Sequence, residues 1–242
     1  MLEQKYLLKK KWNASFLSNC DEKEFQLFFN TISSDKIDFI NRKNKAFEEV
    51  YKILNSLSCP VFVTGGTLLG IIRDNSLIPW DDDIDMDMLE EDYNIWSKII
   101  FEELIKRDCV VRIKDNEGFP KMRIYSYGIK ISIDSLILSN NKRIRPAYNY
   151  PDIFFKNSEI FRYKNIDLKI PGPPQDFLKY VYGKNWNIPI QSDNDYEYMS
   201  YKVMNKNPIK VYLVKFLLSL KSFFLKSFKI FLMMRSESRK KS

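Results

Sequence analysis

Five aspartates occupy seven consecutive positions of this chain: Asp81, Asp82, Asp83, Asp85 and Asp87. Asp81, Asp83, Asp85 and Asp87 alternate, so an extended backbone turns all four toward one face. A fold holds that much like charge on one face only beside a compensating cation, and Mg²⁺ or Mn²⁺ suits carboxylate oxygens. Just upstream, Gly65-Gly66 opens a short apolar segment. Glycines at a helix start offer bare backbone N–H groups to a phosphate. Together the two features predict phosphate chemistry on a metal-bound nucleotide.

Composition narrows the chemistry by exclusion. The chain contains no histidine. That removes Ser-His and Cys-His nucleophile systems, His-ligated zinc and His general bases. Cys20, Cys59 and Cys109 are scattered, odd in number and without CxxC spacing, so neither a zinc knuckle nor a disulfide framework is expected. A reducing cytoplasm fits. The charged start, MLEQKYLLKKKWN, has no long apolar run, and no signal peptide is expected there. The net charge of +8 fits a lysine-rich composition of no special consequence, or attraction to anionic lipid or substrate.

The apolar spacing divides 242 residues into three parts. Residues 1–36 read as a helical extension. Residues 37–205 read as the catalytic domain, and 206–242 as a basic, amphipathic tail. Within the domain, helices are expected over Lys36–Leu57, Thr67–Ile72, Glu91–Lys106 and Gln175–Val181. Strands are expected at Val61–Val63, Ile84–Met88, Cys109–Lys114, Pro120–Tyr125 and Ile129–Leu138, with a hairpin within Asn157–Ile170. Asn140–Lys156 reads as irregular. The order predicts an α+β fold with a mixed sheet flanked by helices.

Ile209–Met234 differs in kind. Lys210, Lys215, Lys221, Lys226 and Lys229 fall on less than half of a helical wheel, and the rest is nearly all Leu, Phe, Ile, Val and Met. Charges interrupt each apolar run well short of the roughly 18 residues that span a bilayer. With the basic tail Arg235–Lys241, this predicts a helix lying on an anionic membrane surface. A helix packed on the protein's own core, or on a partner, is the competing expectation.

Phosphotransfer needs carboxylates for divalent metal, a backbone cradle for phosphate and activation of a hydroxyl. Gly65-Gly66, a helix, Asp83-x-Asp85 on a strand and one more aspartate on a neighbouring strand form a nucleotidyltransferase-like layout. Asp134, late in an alternating strand, is the expected third carboxylate.

Longer motifs extend that layout. Gly66–Gly70 with Arg73, and Ile78–Asp85, resemble the signature of the LicD/fukutin family. Pro120-Lys121-Met122-Arg123 is similar to that family's lysine-containing strand, and Ile133-Asp134 to its later acidic element, with Ser135 and Leu136 in place of Ile-Phe. Tyr182-Gly183-Lys184-Asn185-Trp186 with Pro189 is similar to its C-terminal element. The resemblance covers roughly residues 45–190, and only the aspartate signature is long and specific.

The resemblance implies a nucleotidyltransferase-type fold. It also implies transfer of a phosphorylated alcohol, phosphocholine or an alditol phosphate such as ribitol phosphate, from a CDP-activated donor onto a cell-surface glycan of lipopolysaccharide, capsule or teichoic acid type. CMP is the released product. The expected setting is the inner face of the membrane, without nucleic acid.

Under this reading Asp83, Asp85 and Asp134 are the catalytic carboxylates. With Asp81 they are also the expected ligands of Mg²⁺ or Mn²⁺, and Asp134 is a candidate to take the acceptor's proton. Gly65, Gly66 and Thr67 are expected at the donor phosphates. Arg73 and Lys121 are expected either to neutralise pyrophosphate charge or simply to pair with the aspartate run. Trp80, Tyr182 and Trp186 are expected to pack. Competing readings are a nucleotidyltransferase that leaves the nucleotide on its acceptor, a DxD glycosyltransferase and a non-enzymatic membrane scaffold.

Overall fold

The computed structural model describes residues 7–11, 14–18, 36–107, 109–116, 118–192 and 194–204. Helix α1 (Lys36–Ser56) buries Phe47, Val50, Tyr51 and Leu54, a stripe at helical spacing. Ser58 takes a left-handed backbone (φ 56°), and the chain turns into the two-residue strand β3 (Phe62–Val63). Helix α2 (Gly65–Asp74) follows at once and stops at Asn75, which is left-handed (φ 50°). The chain then enters strand β4 (Asp83–Leu89), whose Ile84, Met86 and Met88 are fully buried. Helix α3 (Glu90–Ile105) starts on Glu90, Glu91 and Asp92, a run of acids that complements the helix dipole.

Strands β5 (Val110–Asn116), β6 (Phe119–Ser126) and β7 (Ile129–Ser139) form a meander. Its second turn is Tyr127-Gly128, both at positive φ, as a tight hairpin demands. Strands β1 (Leu7–Lys11) and β2 (Ala14–Ser18) extend the sheet beyond β5, giving the order β1-β2-β5-β6-β7-β4-β3. The β4–β7 pair is parallel, and the other pairs along this order are antiparallel. The expected mixed sheet flanked by helices is therefore present.

Two expectations are corrected. Residues 7–11 and 14–18 form a β-hairpin, not part of a helix, with β2 pairing the open edge of β5. A free sheet edge outweighs weak local propensity. Residues 140–156 are ordered rather than irregular. They hold β8 (Lys142–Arg145), β9 (Tyr148–Pro151) and the single-turn helix α4 (Ile153–Lys156). Asn140 and Asn141 both have positive φ and make the β7–β8 turn, a conformation asparagine tolerates.

The hairpin β10 (Glu159–Tyr163) and β11 (Ile166–Ile170) lies off the main sheet. Helix α5 (Pro174–Tyr182) buries Phe177 and Leu178, and Phe177 packs on Tyr150 and Phe155. The short helix α6 (Asp195–Tyr198) completes the described elements. Among the described residues no helix is long and apolar enough to cross a membrane. The amphipathic segment and basic tail expected over 206–242 lie outside them.

Candidate active site

The register of β4 places the acidic run. Apolar Ile84, Met86 and Met88 take one face, and the aspartates take the other. Asp81, Asp82 and Asp83 each bring a carboxylate oxygen into a group within 4.8 Å of one another. Lys43, a buried lysine of α1, sits beneath this loop. Its Nζ donates to the carbonyls of Asp81 (2.7 Å) and Ile78 (3.3 Å) and lies 3.7 Å from Asp81 Oδ2. Lys130 on β7 pairs with Asp83 at 2.8 Å.

Asp85 is held by the start of α2. Its backbone N–H donates to Thr67 Oγ1 (2.8 Å), and its Oδ2 accepts from the Gly66 N–H (3.2 Å). A Cβ on Gly65 (φ 56°) would overlap the Asp85 carboxylate, and one on Gly66 would come within 2.5 Å of Asp81 Oδ2. The two glycines are thus required by the closeness of the carboxylates.

Asp87 points to the same face but is fully buried. It accepts from Thr64 Oγ1 (2.8 Å) and from Arg145 Nη1 (3.3 Å). Asp134, its register partner on β7, accepts from Arg123 Nη1 (2.6 Å) and Arg145 Nη1 (2.8 Å). Arg145 Nη2 also donates to Tyr150 Oη (3.2 Å).

The charges are unevenly compensated. Burial, opposed by Lys43 and aided by Asp83, pushes the Asp81 carboxyl up to about 6. Burial and the charge of Asp83 push Asp85 up to about 7 against the pull of Arg145. Asp134 shows the opposite sign: burial pushes it up, but Arg145 and Arg123 outweigh that and hold it below the usual carboxylate range. The cluster Asp81-Asp82-Asp83-Asp85 therefore carries more negative charge than its neighbours neutralise. The hard oxygen donors of Asp81, Asp82 and Asp83, one per residue and already gathered, fit a divalent cation such as Mg²⁺.

Three cavities meet here. The first, about 510 Å³, is lined by Gly65, Gly66, Asp81–Asp83, Asp85, Trp80 and a wall of tyrosines, Tyr148, Tyr150, Tyr182 and Tyr198. Asp195 accepts from both Tyr148 Oη and Tyr198 Oη at 2.6 Å and fixes that wall. The second, about 310 Å³, shares Asp83, Asp85, Arg145 and Tyr148 with the first and opens over β6 and β7, with Lys121, Arg123, Lys130 and Asp134. A third, about 350 Å³, adjoins the first beyond Leu69 and Tyr182 and contains Arg73, Lys184 and Trp186.

The expected site residues therefore fall into groups. Gly65, Gly66, Asp81, Asp83 and Asp85 share the first cavity. Asp134 and Lys121 join Asp83 and Asp85 in the second, and Lys121 is the register partner of Asp134. Thr67 is buried and spends its hydroxyl on the Asp85 backbone. Arg73 pairs with its neighbour Asp74 at 2.6 Å and lines the third cavity, away from the aspartate run. Tyr182 and Trp186 pack against the core as expected, while also lining cavities. Trp80 is 42% exposed at the rim of the first cavity rather than packed inside.

Lys43, Lys130, Arg145 and the pair Tyr148–Tyr198 escape the sequence reading. For Arg145 the available signal is the alternation of Lys142-Arg143-Ile144-Arg145, which suits a strand but gives no sign of burial.

Comparison with known proteins places this geometry. Residues 58–171 match the LicD/FKTN/FKRP nucleotidyltransferase domain. An uncharacterized protein of Rickettsia typhi is 26% identical over 176 residues, covering 69% of this chain and 51% of that protein. Human ribitol-5-phosphate transferase FKTN is 24% identical over 204 residues, covering 72% of this chain and 40% of that protein. The lipopolysaccharide cholinephosphotransferase LicD of Haemophilus influenzae is 46% identical over 55 residues, 23% of this chain and 18% of that protein. The chain spans about half the length of the first curated relatives it matches, between 40% and 60%. The matched segment holds the aspartate group, both glycines, Asp134 and Arg145, and over that segment the chain is similar to the LicD family.

Proposed function

We propose that this protein is a metal-dependent phosphotransferase. It moves a phosphorylated alcohol from a CDP-activated donor onto a glycan and releases CMP. One observation carries the reading: the gathered carboxylates of Asp81, Asp82 and Asp83 stand beside Asp85 and a glycine pair that admits them, at the floor of a nucleotide-sized cavity. The names of the FKTN and LicD relatives, a ribitol-5-phosphate transferase and a cholinephosphotransferase, support the class of transferred group.

Asp81 and Asp83, with Asp82 and Asp85 beside them, would hold a divalent cation, which supplies charge neutralisation on the donor pyrophosphate. The chain's own groups do the rest. Lys43 fixes the carbonyls of the Asp81 loop, so the carboxylates are oriented before substrate arrives. The tyrosine wall lines the nucleotide side of the cavity. In the reaction, the acceptor hydroxyl oxygen attacks the phosphorus that carries the alcohol. A P–O bond forms, the bond to the bridging oxygen breaks, CMP leaves, and the hydroxyl proton is released. Both oxygens of Asp134 are engaged by arginines, so Asp134 acts by holding Arg123 and Arg145 at the reacting phosphate.

Peripheral attachment to an anionic membrane belongs to the same proposal and rests on the lysine pattern of 209–241. The deciding experiment measures CMP release from CDP-choline, CDP-ribitol and CDP-glycerol with Mg²⁺. Release with one donor is expected, lost in Asp83→Asn and Asp85→Asn. Unchanged turnover in both variants overturns the metal reading. Transfer of the nucleotide itself, with the phosphorylated alcohol released from the CDP donor, assigns the alternative nucleotidyltransferase chemistry.

A further inference from the structure

The third cavity, about 350 Å³, is unlike the other two in charge. Its lining cations are Arg73 and Lys184, and its lining carboxylate is Glu197. Asp74 answers Arg73 at 2.6 Å, so the formal charges of these four groups cancel. The rings of Trp186 and Tyr201 supply broad faces, and Asn185 and Ser200 supply neutral polar groups.

Arg73 is the informative member. Its side chain is only 5% exposed. Nε and Nη2 donate to Asp74, and among the described residues Nη1 donates to nothing. A guanidinium N–H held in a cavity wall is a donor ready for a ligand oxygen. Lys184 and Glu197 are exposed, and their side chains make no hydrogen bond or ion pair among the described residues. They add a second donor and an acceptor. Local backbone builds the site. Gly183 (φ 87°) turns the chain out of α5, and the Trp186 N–H donates to the Gly183 carbonyl (3.2 Å). The returning chain is tied to α5 by the Ser200 N–H, which donates to the Val181 carbonyl (2.7 Å).

These features choose among ligands. A quaternary ammonium seeks aromatic faces free of competing cations, and Arg73 and Lys184 are cations. A phosphate seeks an excess of positive charge, which Asp74 and Glu197 cancel. A neutral sugar ring needs an aromatic face for its C–H side and mixed donors and acceptors for its hydroxyls, and both are present. Leu69, Tyr182, Tyr198 and Met199 line both this cavity and the first, and the stacked rings of Tyr182 and Tyr198 have centroids 6.3 Å apart. A ligand in the third cavity is therefore next to whatever fills the first.

We propose that the third cavity is a sugar subsite holding a neutral pyranose ring of the glycan acceptor, with Trp186 as its stacking face and Arg73 Nη1 as a donor to its hydroxyls. Its assignment to the acceptor rests on the CDP-donor reading above. The ribose or alditol of a donor offers the same hydroxyl chemistry, and the test separates these sources.

The test uses the full chain and saturation-transfer nuclear magnetic resonance with three probes: methyl glucopyranoside, methyl galactopyranoside and the methyl glycoside of N-acetylglucosamine. At least one is expected to bind, both alone and with CMP and Mg²⁺ present. Trp186→Leu and Arg73→Met each weaken that binding by about tenfold, the scale of a lost aromatic face or charged hydrogen bond, while CMP affinity stays within about twofold. Thermal melts check that both variants fold, and Lys184→Ala, at an exposed position, repeats the test away from the core. A wild type that binds no glycoside, or equal binding in the wild type and all three variants, overturns the proposal. Displacement of the glycoside by CMP assigns the cavity to the nucleoside, and tighter binding of ribitol than of any glycoside assigns it to the donor alcohol; either result overturns the proposal. Glycoside binding that depends on Trp186 and Arg73 in a protein that binds no CMP supports the sugar subsite and counts against the CDP-donor reading.

Discussion

Arg145 Nη1 donates to Asp134 at 2.8 Å, and the same nitrogen reaches Asp87 at 3.3 Å. One guanidinium from β8 thus neutralises a carboxylate on each of two parallel strands. Removing it leaves a fully buried Asp87 with Thr64 as its one hydrogen-bond partner among the described residues. Breaking a buried pair from one side costs about 3–5 kcal/mol. Arg145→Met is therefore expected to lower unfolding stability by that order in urea, and the double variant Arg145→Met/Asp87→Asn to recover part of it. A single variant as stable as the wild type would remove Arg145 from this role.

Gly65 and Gly66 make a sharper prediction about function. Alanine at Gly65 meets both a left-handed backbone and the Asp85 carboxylate, whereas alanine at Gly66 meets only Asp81 Oδ2. Gly65→Ala is expected to reduce CMP release by at least about tenfold, the scale at which small displacements disturb positioned groups. Gly66→Ala should cost less. Steady-state rates for the two, read with their melting temperatures, check the order.

Lys43 holds two carbonyls of the aspartate loop from a helix outside the matched domain. Lys43→Met leaves these acceptors unsatisfied, at about 1–3 kcal/mol, and frees the loop. Mn²⁺ affinity by electron paramagnetic resonance is expected to fall, with KM for the donor rising more than kcat declines. Equal Mn²⁺ binding in variant and wild type would contradict the orienting role.

Acid sensitivity follows from a second ion cluster. Arg143 bridges Glu91 at 2.7 Å and Asp152 at 2.6 Å, joining the start of α3 to α4. The Arg143 hydrogen bonds hold Glu91 below its ordinary range. Burial pushes Asp152 up, but hydrogen bonds from Lys156 and Arg143 bring it below the usual range. Carboxyls depressed on folding contribute stability above their unfolded values, about 4, and lose it as pH falls through the lower folded values. Melting temperature should therefore fall more steeply with acid in the wild type than in Glu91→Gln. Parallel profiles would show that the bridge contributes nothing to acid sensitivity.

Much of this was legible in the residues. The alternation of Asp83, Asp85 and Asp87 against Ile84, Met86 and Met88 is a period-two signal, and strand β4 obeys it. The glycines announce a close approach, although what approaches within the chain is a carboxylate rather than a phosphate. Asp134 was readable as a carboxylate facing the site, but its arginine partners were not. Arg145 comes from a hairpin whose turn, Asn140-Asn141, looks like loop composition until both residues are seen at positive φ. Long-range ion pairs leave no local period, so Lys43 and Arg145 had to wait for the fold.

The parallel pairing of β4 with β7 has a consequence for how the chain assembles. Asp87 is 58 positions ahead of the arginine that neutralises it. During synthesis the acidic strand emerges long before Lys130, Arg123 or Arg145 exists to answer it. Closing a loop of that length carries an entropic cost before any contact rewards it. Loop entropy therefore predicts that the acidic strand settles after the local β6–β7–β8 meander has presented its cations, and pulse-labelled hydrogen exchange is expected to protect the β4 amides last.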